Sequence, residues 1–205
     1  MVDAAIILKC ADPGLKPAIV EKFIAQAGSS DPLAVTVRSG NRVILVPRAK
    51  TVDEAMALIG EYVGQAVVRV GITQYPAGLG IKEVSELKSD LVDACKNIRM
   101  GTTLFAKVYR IVTKWYGNAV DEAFEDAIIS WKSGYFEGTA VFRAPDPEDV
   151  KLAEPKQDEP GLMPDPTVSA KRQDEEGLDN SKADGAIDPN RAGIRVDLSG
   201  IGGTR

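Results

Sequence analysis

The residues of this chain that could do chemistry include two cysteines, Cys10 and Cys95, but no histidine among 205 positions. The absence of histidine excludes Ser-His-Asp and Cys-His catalysis and imidazole-based metal binding. Two cysteines are too few for a disulfide scaffold or a four-thiolate metal site, so they form either one bridge or two buried thiols. The sequence indicates no cofactor.

The overall charge is mildly acidic, with 30 Asp and Glu against 25 Lys and Arg and a net charge of −5. Nucleic-acid binding usually needs clustered positive charge, so no direct nucleic-acid binding is predicted. No apolar run approaches the ~20 residues that span a bilayer. The stretch Met1–Lys9 lacks the basic region and the apolar length of a secretory signal. The sequence therefore predicts no membrane span and a cytoplasmic location.

The stretch Phe23–Ala34 predicts the end of a buried helix, a tight turn and the start of a strand. Pro17 suits the first turn of this helix. Gly28 is expected to adopt the left-handed conformation that ends a helix, and Pro32 forbids its continuation. The preceding stretch, Ala4–Cys10, is either helical or extended.

The next segment predicts a small amount of β structure. Two short strands, Val35–Val37 and Val43–Val46, flank a polar turn with glycine and predict a hairpin. Thr51 and Glu54 form a capping box for the helix that follows. The valine-rich stretch Gln65–Ile72 predicts a third extended segment.

Two further helices are predicted in the second half of the domain. The first is a long core helix, capped by Asp90 or Asp93 and running to about Tyr116. Its apolar stripe includes Trp115. The second helix covers Val120–Lys132.

The composition changes from about Ala144, because no aromatic residue follows Phe142 and prolines, acids, lysines and glycines become frequent. Such a segment cannot bury enough apolar surface to offset the entropy lost on ordering. The sequence therefore predicts a folded domain at 1–143 and a disordered, acidic, proline-rich tail at 144–205. Ile194–Leu198 alternates apolar and polar residues, and chance alternation is favoured over a short docking strand.

Four short motifs occur in a defined order: Cys10–Pro13 followed by a helix and Ser30–Ala34, then Gly71–Tyr75, Asp93–Gly101 and Ser130–Gly134. In order and spacing they resemble the lysozyme-like lytic transglycosylases of type IV secretion and conjugation systems. The resemblance covers about Ile7 to Phe142. It implies an α+β, mostly helical, lysozyme-like domain with a small β-hairpin.

Three other stretches, Lys16–Glu21, Gly64–Gly71 and Ala106–Gly117, resemble the TraH conjugal-transfer protein family, which is encoded in plasmid transfer operons. This resemblance implies a role in plasmid transfer. The partners it implies are components of the conjugation or type IV secretion apparatus, or peptidoglycan. It does not imply a mechanism.

The position of the catalytic acid departs from the transglycosylase pattern. In those enzymes a glutamate with a raised pKa protonates the glycosidic oxygen. The register of the Asp-Pro-Leu-Ala turn places Ala27 there, and Gly28 replaces the neighbouring serine. Asp31 precedes a proline and is expected to bond turn amides, and Glu21 faces elsewhere on the helix. The degenerate site leaves enzyme activity uncertain and favours its absence.

The resemblance assigns substrate binding to Gln74, Tyr75, Trp131 and Lys132. Gln74 keeps the glutamine of the family, whereas Trp131 and Lys132 replace a tyrosine and an asparagine. Structural explanations are also available, since amides pair with loop backbone groups and a tryptophan on an apolar helix face usually belongs to the core. Tyr75 is better placed to line a cleft, because it lies in a loop.

The resemblance also bears on Cys10 and Cys95, because exported relatives have cysteines at these positions that could pair. A bridge requires an oxidising compartment. The missing signal favours reduced, buried thiols in the cytoplasm, and a disulfide with a periplasmic location is the alternative.

Two functions remain open. The first is a pseudoenzyme, a catalytically inactive transglycosylase-like module for binding or assembly in conjugation, which Ala27 favours. The second is an active peptidoglycan lytic transglycosylase with a relocated acid, which opens the cell wall for the transfer apparatus. A DNA-processing role fits the operon but has no nucleic-acid motif to support it.

Overall fold

The structure is a computed structural model and describes residues 3–118 and 120–152. Within these residues the fold is α+β, as predicted, and more residues lie in helices than in strands. The helices are α1 (Ala4–Cys10), α2 (Pro17–Ala27), α3 (Val52–Tyr62), α4 (Ala94–Tyr116) and α5 (Asp121–Ser133). The strands are β1 (Val35–Ser39), β2 (Arg42–Ile44), β3 (Val67–Val70), β4 (Tyr75–Pro76), β5 (Tyr135–Phe136) and β6 (Thr139–Ala140). Among the described residues, no helix has both the length and the hydropathy of a membrane span.

Local capping sets several helix starts where the sequence predicts them. Pro17 occupies the first position of α2. The Asp93 carboxylate accepts a backbone N–H at 2.8 Å at the start of α4, and Thr51 Oγ1 accepts the Glu54 N–H at 3.2 Å before α3. In a capping box the carboxylate bonds the backbone N–H of the capping residue, whereas here the Glu54 carboxylate accepts the N–H of the preceding residue, Lys50, at 2.7 Å.

The larger sheet has the strand order β2-β1-β3-β4, and its pairs are antiparallel. The predicted hairpin is confirmed as β1 and β2, and β3 lies within the valine-rich stretch. Val37, Val68 and Val70 pack with α3 in a small core. Because side chains alternate along a strand, Arg38 on β1 and Arg69 on β3 share the opposite face of the sheet.

A larger core joins α1, α2, α4 and α5. Phe23 stacks on Phe105 with ring centroids 4.0 Å apart, and Trp131 meets Phe23 edge-on at 5.1 Å. Trp115, predicted on the buried stripe of α4, is instead 60% exposed. It lies in the last turn of α4, where the half-buried Tyr116 continues the buried face of the helix.

The described part of the chain continues past the domain boundary predicted at Ala144. Arg110 on α4 binds Asp146 through two hydrogen bonds, from Nε at 2.7 Å and from Nη2 at 2.5 Å. Leu152 packs against the helical core. The remainder of the predicted tail, with Ile194–Leu198, lies outside the described residues.

Asp146→Asn is expected to lower the free energy of unfolding by about 1 kcal/mol at pH 7, because it removes a partly buried, bidentate ion pair. The hydrogen bonds from Arg110 lower the pKa of Asp146 below its ordinary value. A lowered carboxylate pKa stabilises the fold above the unfolded-state pKa, so this contribution is lost as the pH falls below about 4. Urea unfolding at pH 7 and pH 3 measures the effect, with the exposed Asp149→Asn as control. Equal losses at both pH values would contradict the ion-pair explanation.

Candidate functional site

Arg69 lies at the centre of the residues that the sequence assigns to a site. It is on β3 and is 6% exposed. Its Nη1 donates to the carbonyl oxygen of Gln74 at 3.3 Å, and its Nη2 donates to the carbonyl oxygens of Trp131 at 2.5 Å and Lys132 at 3.2 Å. The structure thus brings three predicted site residues together, through their backbones rather than their side chains.

The surroundings keep Arg69 positively charged but poorly solvated. Its Cζ lies 5.6 Å from the ring centroid of Trp131 and 5.1 Å from that of Phe142, close enough for cation–π attraction. Burial lowers the pKa of Arg69 to about 10, and the nearby Arg38 guanidinium adds to the effect. Arg69 is therefore protonated at neutral pH, where it can hold acceptors or attract an anion but is a poor proton donor.

A cavity of about 530 Å³ opens beside Arg69, and we call it the arginine pocket. Its walls come from β1, β3 and the residues before it, the residues around β4, and the segment from Ser133 at the end of α5 to Arg143 just after β6. Arg38 and Arg143 lie on these walls with Arg69, together with Tyr135 and Phe142. None of the described residues that line the pocket is acidic.

The side chains of Gln74 and Tyr75 are engaged within the fold. Gln74 has a positive φ of 52°, and its Nε2 donates to the carbonyl oxygen of Gly71 at 3.0 Å, so the amide closes its own loop. This contact is the backbone pairing that the sequence offers as the structural explanation. Tyr75 begins β4 opposite Val70 and is half-buried, and burial raises the pKa of its hydroxyl.

Trp131 is a core residue. It is 1% exposed, and its indole N–H donates to the carbonyl oxygen of Thr73 at 3.1 Å. Its side chain lies in the core, which is the structural explanation that the sequence offers, because the rings of Phe23 and Phe142 pack edge-on against it. The side chain of Lys132 is exposed.

The turn after α2 is tied to the loop between β3 and β4. Ala27 ends α2 and is half-buried. Gly28 follows with φ −96° and ψ −168°, an extended backbone instead of the predicted left-handed one. A Cβ on Gly28 would collide with the carbonyl oxygen of Ile72, to which the Ser29 N–H donates at 2.8 Å. Glycine is therefore needed here for close approach of two backbones.

Neither of the two acids nearest to Ala27 in the sequence lines the arginine pocket. The Asp31 carboxylate accepts a turn amide at 3.0 Å, as predicted, and also binds Arg48 at 2.8 Å. Glu21 lies on the wall of a different, mainly apolar cavity of about 550 Å³ between α1 and α2. In residues 3–118 and 120–152, no group of three or more acidic or cysteine side chains is arranged to hold a metal ion.

Cys10 and Cys95 form a disulfide that joins α1 to the first turn of α4. The sequence favours reduced thiols, and this expectation is wrong, because the structure has the disulfide that the sequence offers as the alternative. Folding brings the two Cα atoms to 5.1 Å, a separation that a disulfide spans. Cys10 is buried, and Cys95 is exposed.

Sequence patterns alone do not predict Arg69 as a site residue, although one signal points to it. Arg69 interrupts the apolar strand Val67–Val70, and a charge at a buried position needs partners. The residues that supply two of those partners lie 62 and 63 positions further along the chain, so the strand pattern alone does not identify them.

Comparison with known proteins identifies the family. The TraH_2 family matches residues 1–203 of the chain. The chain is also 50% identical over 211 residues to the uncharacterized protein y4dP of Sinorhizobium fredii, with 100% of both chains covered. No solved structure matches the chain, so the lysozyme-like fold stays a prediction. The resemblance to TraH proteins is confirmed at the level of the family, and the chain belongs to the TraH_2 family.

Proposed function

We propose that this chain is an accessory protein of plasmid conjugal transfer that acts by binding, with the arginine pocket as its site. Membership of the TraH_2 family supports the role in conjugal transfer. The observation that supports binding is the protonated Arg69, fixed by three carbonyl oxygens at one wall of an open cavity. A guanidinium in such a place recognises acceptors and anions, whereas glycosidic cleavage needs a carboxylic acid that gives up its proton.

The likeness to lytic transglycosylases belongs to the same proposal. The end of α2 faces the loop at 71–74. If the fold is lysozyme-like, this is where the catalytic acid would lie. That position is the half-buried Ala27, and removing a general acid typically costs about 10²–10⁴ in rate. The chain would then be a transglycosylase-like pseudoenzyme, used to bind peptidoglycan or to assemble the transfer apparatus.

The experiment is a combined binding and turnover assay on intact peptidoglycan with the full-length chain. We expect the protein to sediment with peptidoglycan and to release no anhydro-muropeptides. Release by the unmodified protein would refute the pseudoenzyme, and absence of sedimentation would refute peptidoglycan as the ligand. Ala27→Glu, measured alongside, reports whether the acid alone is missing from an otherwise complete cleft.

A second candidate function is an active transglycosylase with a relocated acid, and one observation favours Glu21 for that role. Glu21 shares the wall of the second cavity with Ile7, Ile24 and Gly28, next to the turn where the acid of the family would lie. If the unmodified protein releases muropeptides, Glu21→Gln should reduce the rate by about 10²–10⁴. The exposed Glu61→Gln on α3 is the matched control.

We further propose that the chain works in an oxidising compartment, the periplasmic alternative. The disulfide between Cys10 and Cys95 supports this, because such bridges form and persist where thiols are not kept reduced. Alkylation of free thiols in intact donor cells tests it. Both cysteines are expected to resist labelling until a reductant is added, and labelling before reduction would contradict the proposal.

A further inference from the structure

The arginine pocket has an unusual charge for this chain. The protein carries a net charge of −5, yet the walls of the pocket hold Arg38, Arg69 and Arg143 and, among the described residues, no acid. The pocket therefore concentrates positive charge at an opening of about 530 Å³.

The charge of Arg69 is held in place without being neutralised. Its hydrogen bonds go to three neutral carbonyl oxygens, which orient the guanidinium and leave its positive charge intact. Arg38 lies on the same face of the sheet as a diagonal neighbour, because Arg38 pairs with Val67 and Arg69 pairs with Thr36. Two like charges at adjacent positions of a sheet repel each other, and an anion bound between them would offset this repulsion.

Arg38 also has unused hydrogen-bonding capacity. Its Nε is buried and has no hydrogen-bond partner. Buried polar atoms are nearly always paired, and a small turn of the Arg38 side chain that brings the unpaired Nε to a ligand oxygen in the cavity would satisfy it. Nε and one terminal nitrogen of an arginine form a planar fork that matches two oxygens sharing a negative charge.

We propose that the arginine pocket binds an oxyanion, the carboxylate or phosphate group of a ligand, with Arg38 as the fork and Arg69 and Arg143 as supporting charges. The inference deepens the proposed function, on which it rests, since it names the chemical group that the binding module recognises. Peptidoglycan offers such groups in the carboxylates of its peptide stems.

The test is a titration of the full-length chain with sodium acetate and, separately, with sodium phosphate, at an ionic strength kept constant with sodium chloride. Amide NMR shifts of Gly40, Gly64 and Gly134, which line the pocket, report binding. We expect at least one oxyanion to give saturable shifts, and the tighter of the two identifies carboxylate or phosphate as the preferred group.

Arg38→Gln should weaken this binding at least about tenfold, the usual effect of losing one charge-assisted contact. Arg38→Lys, which keeps the charge but not the fork, should retain part of it. Arg42→Gln is the matched control, because Arg42 is exposed on the neighbouring strand and does not line the pocket. Arg143→Gln, at an exposed position, provides a second pocket variant if Arg38→Gln does not fold.

The inference is overturned if acetate and phosphate give only the shifts that chloride gives, or if the pocket variants bind as the unmodified protein does. Its failure is distinguishable from that of the proposed function. Loss of sedimentation with peptidoglycan while acetate still binds would remove peptidoglycan as the ligand and leave the oxyanion site. Sedimentation that is unchanged in Arg38→Gln would show that peptidoglycan binds elsewhere on the protein and would refute the arginine pocket as its site.

Discussion

Asn97→Ala is expected to lower the free energy of unfolding by about 3–5 kcal/mol, because several buried partners lose their hydrogen bonds at once. Asn97 is fully buried near the start of α4. Its Nδ2 donates to the carbonyl oxygens of Val70 at 3.1 Å and Leu91 at 2.7 Å, and its Oδ1 accepts both the N–H and the hydroxyl of Thr73 at 2.9 Å. Urea unfolding followed by circular dichroism measures the loss.

Two further variants test whether the lost hydrogen bonds, and not the lost side-chain volume, cause the destabilisation. Asn118→Ala, at an exposed position, should change the stability by less than about 0.5 kcal/mol. Asn97→Asp keeps the shape but directs an oxygen at the carbonyls of Val70 and Leu91, so its loss should be as large as that of alanine. A small loss in Asn97→Asp would contradict the explanation.

The Asn97 contacts show what two of the resemblance motifs do in this fold. Asn97 belongs to the motif Asp93–Gly101, and Thr73 belongs to the motif Gly71–Tyr75. A Cβ on Gly101 would collide with the Thr73 side chain, and one on Gly71 would collide with the Asn97 side chain. Glycine is therefore required at both positions so that the loop can pack on the helix. Packing alone can preserve such motifs, so their presence does not imply catalysis.

The parts of the fold that the sequence predicts well are those with local determinants. Pro17, Thr51 and Asp93 start their helices through contacts within a few residues, and the high valine content of Gln65–Ile72 identifies β3. Whether a tryptophan is buried is not determined by its neighbours in the sequence. Trp131 and Trp115 both occur among apolar helix residues, and only the packing of other elements around them makes one core and leaves the other exposed.

The candidate site shows the same difference between local and non-local determinants. The sequence selects Gln74, Trp131 and Lys132 from a resemblance, and these three residues do meet in space. Their meeting point, Arg69, contacts backbone carbonyls, which every residue type possesses. Side-chain motifs contain no information about such contacts, so the charge of the pocket emerges only from the folded arrangement.

Cys95→Ser is expected to lower the free energy of unfolding by about 3–4 kcal/mol, because the disulfide links residues 85 positions apart and restricts the unfolded chain. Cys95 is the better position to change, since its side chain is exposed, whereas serine at the buried Cys10 would also place a hydroxyl in the core. Reduction of the unmodified protein should give the same loss in urea unfolding. A reductant should have no effect on Cys95→Ser, and a lack of effect on the unmodified protein would contradict the prediction.

Cys95 and Asn97 both lie in the first turn of α4. The disulfide of Cys95 joins this turn to α1, and the hydrogen bonds of Asn97 join it to the loop at 71–74, so the stability effects of changing the two residues could couple or add. The disulfide acts mainly on the entropy of the unfolded chain, and the Asn97 hydrogen bonds act on the folded state. Effects on different states should add, so a reductant should destabilise Asn97→Ala by the same 3–4 kcal/mol, approximately, as the unmodified protein. A clearly smaller effect would mean that the bridge works by holding the start of α4 in its native position, where the lost hydrogen bonds have already loosened it.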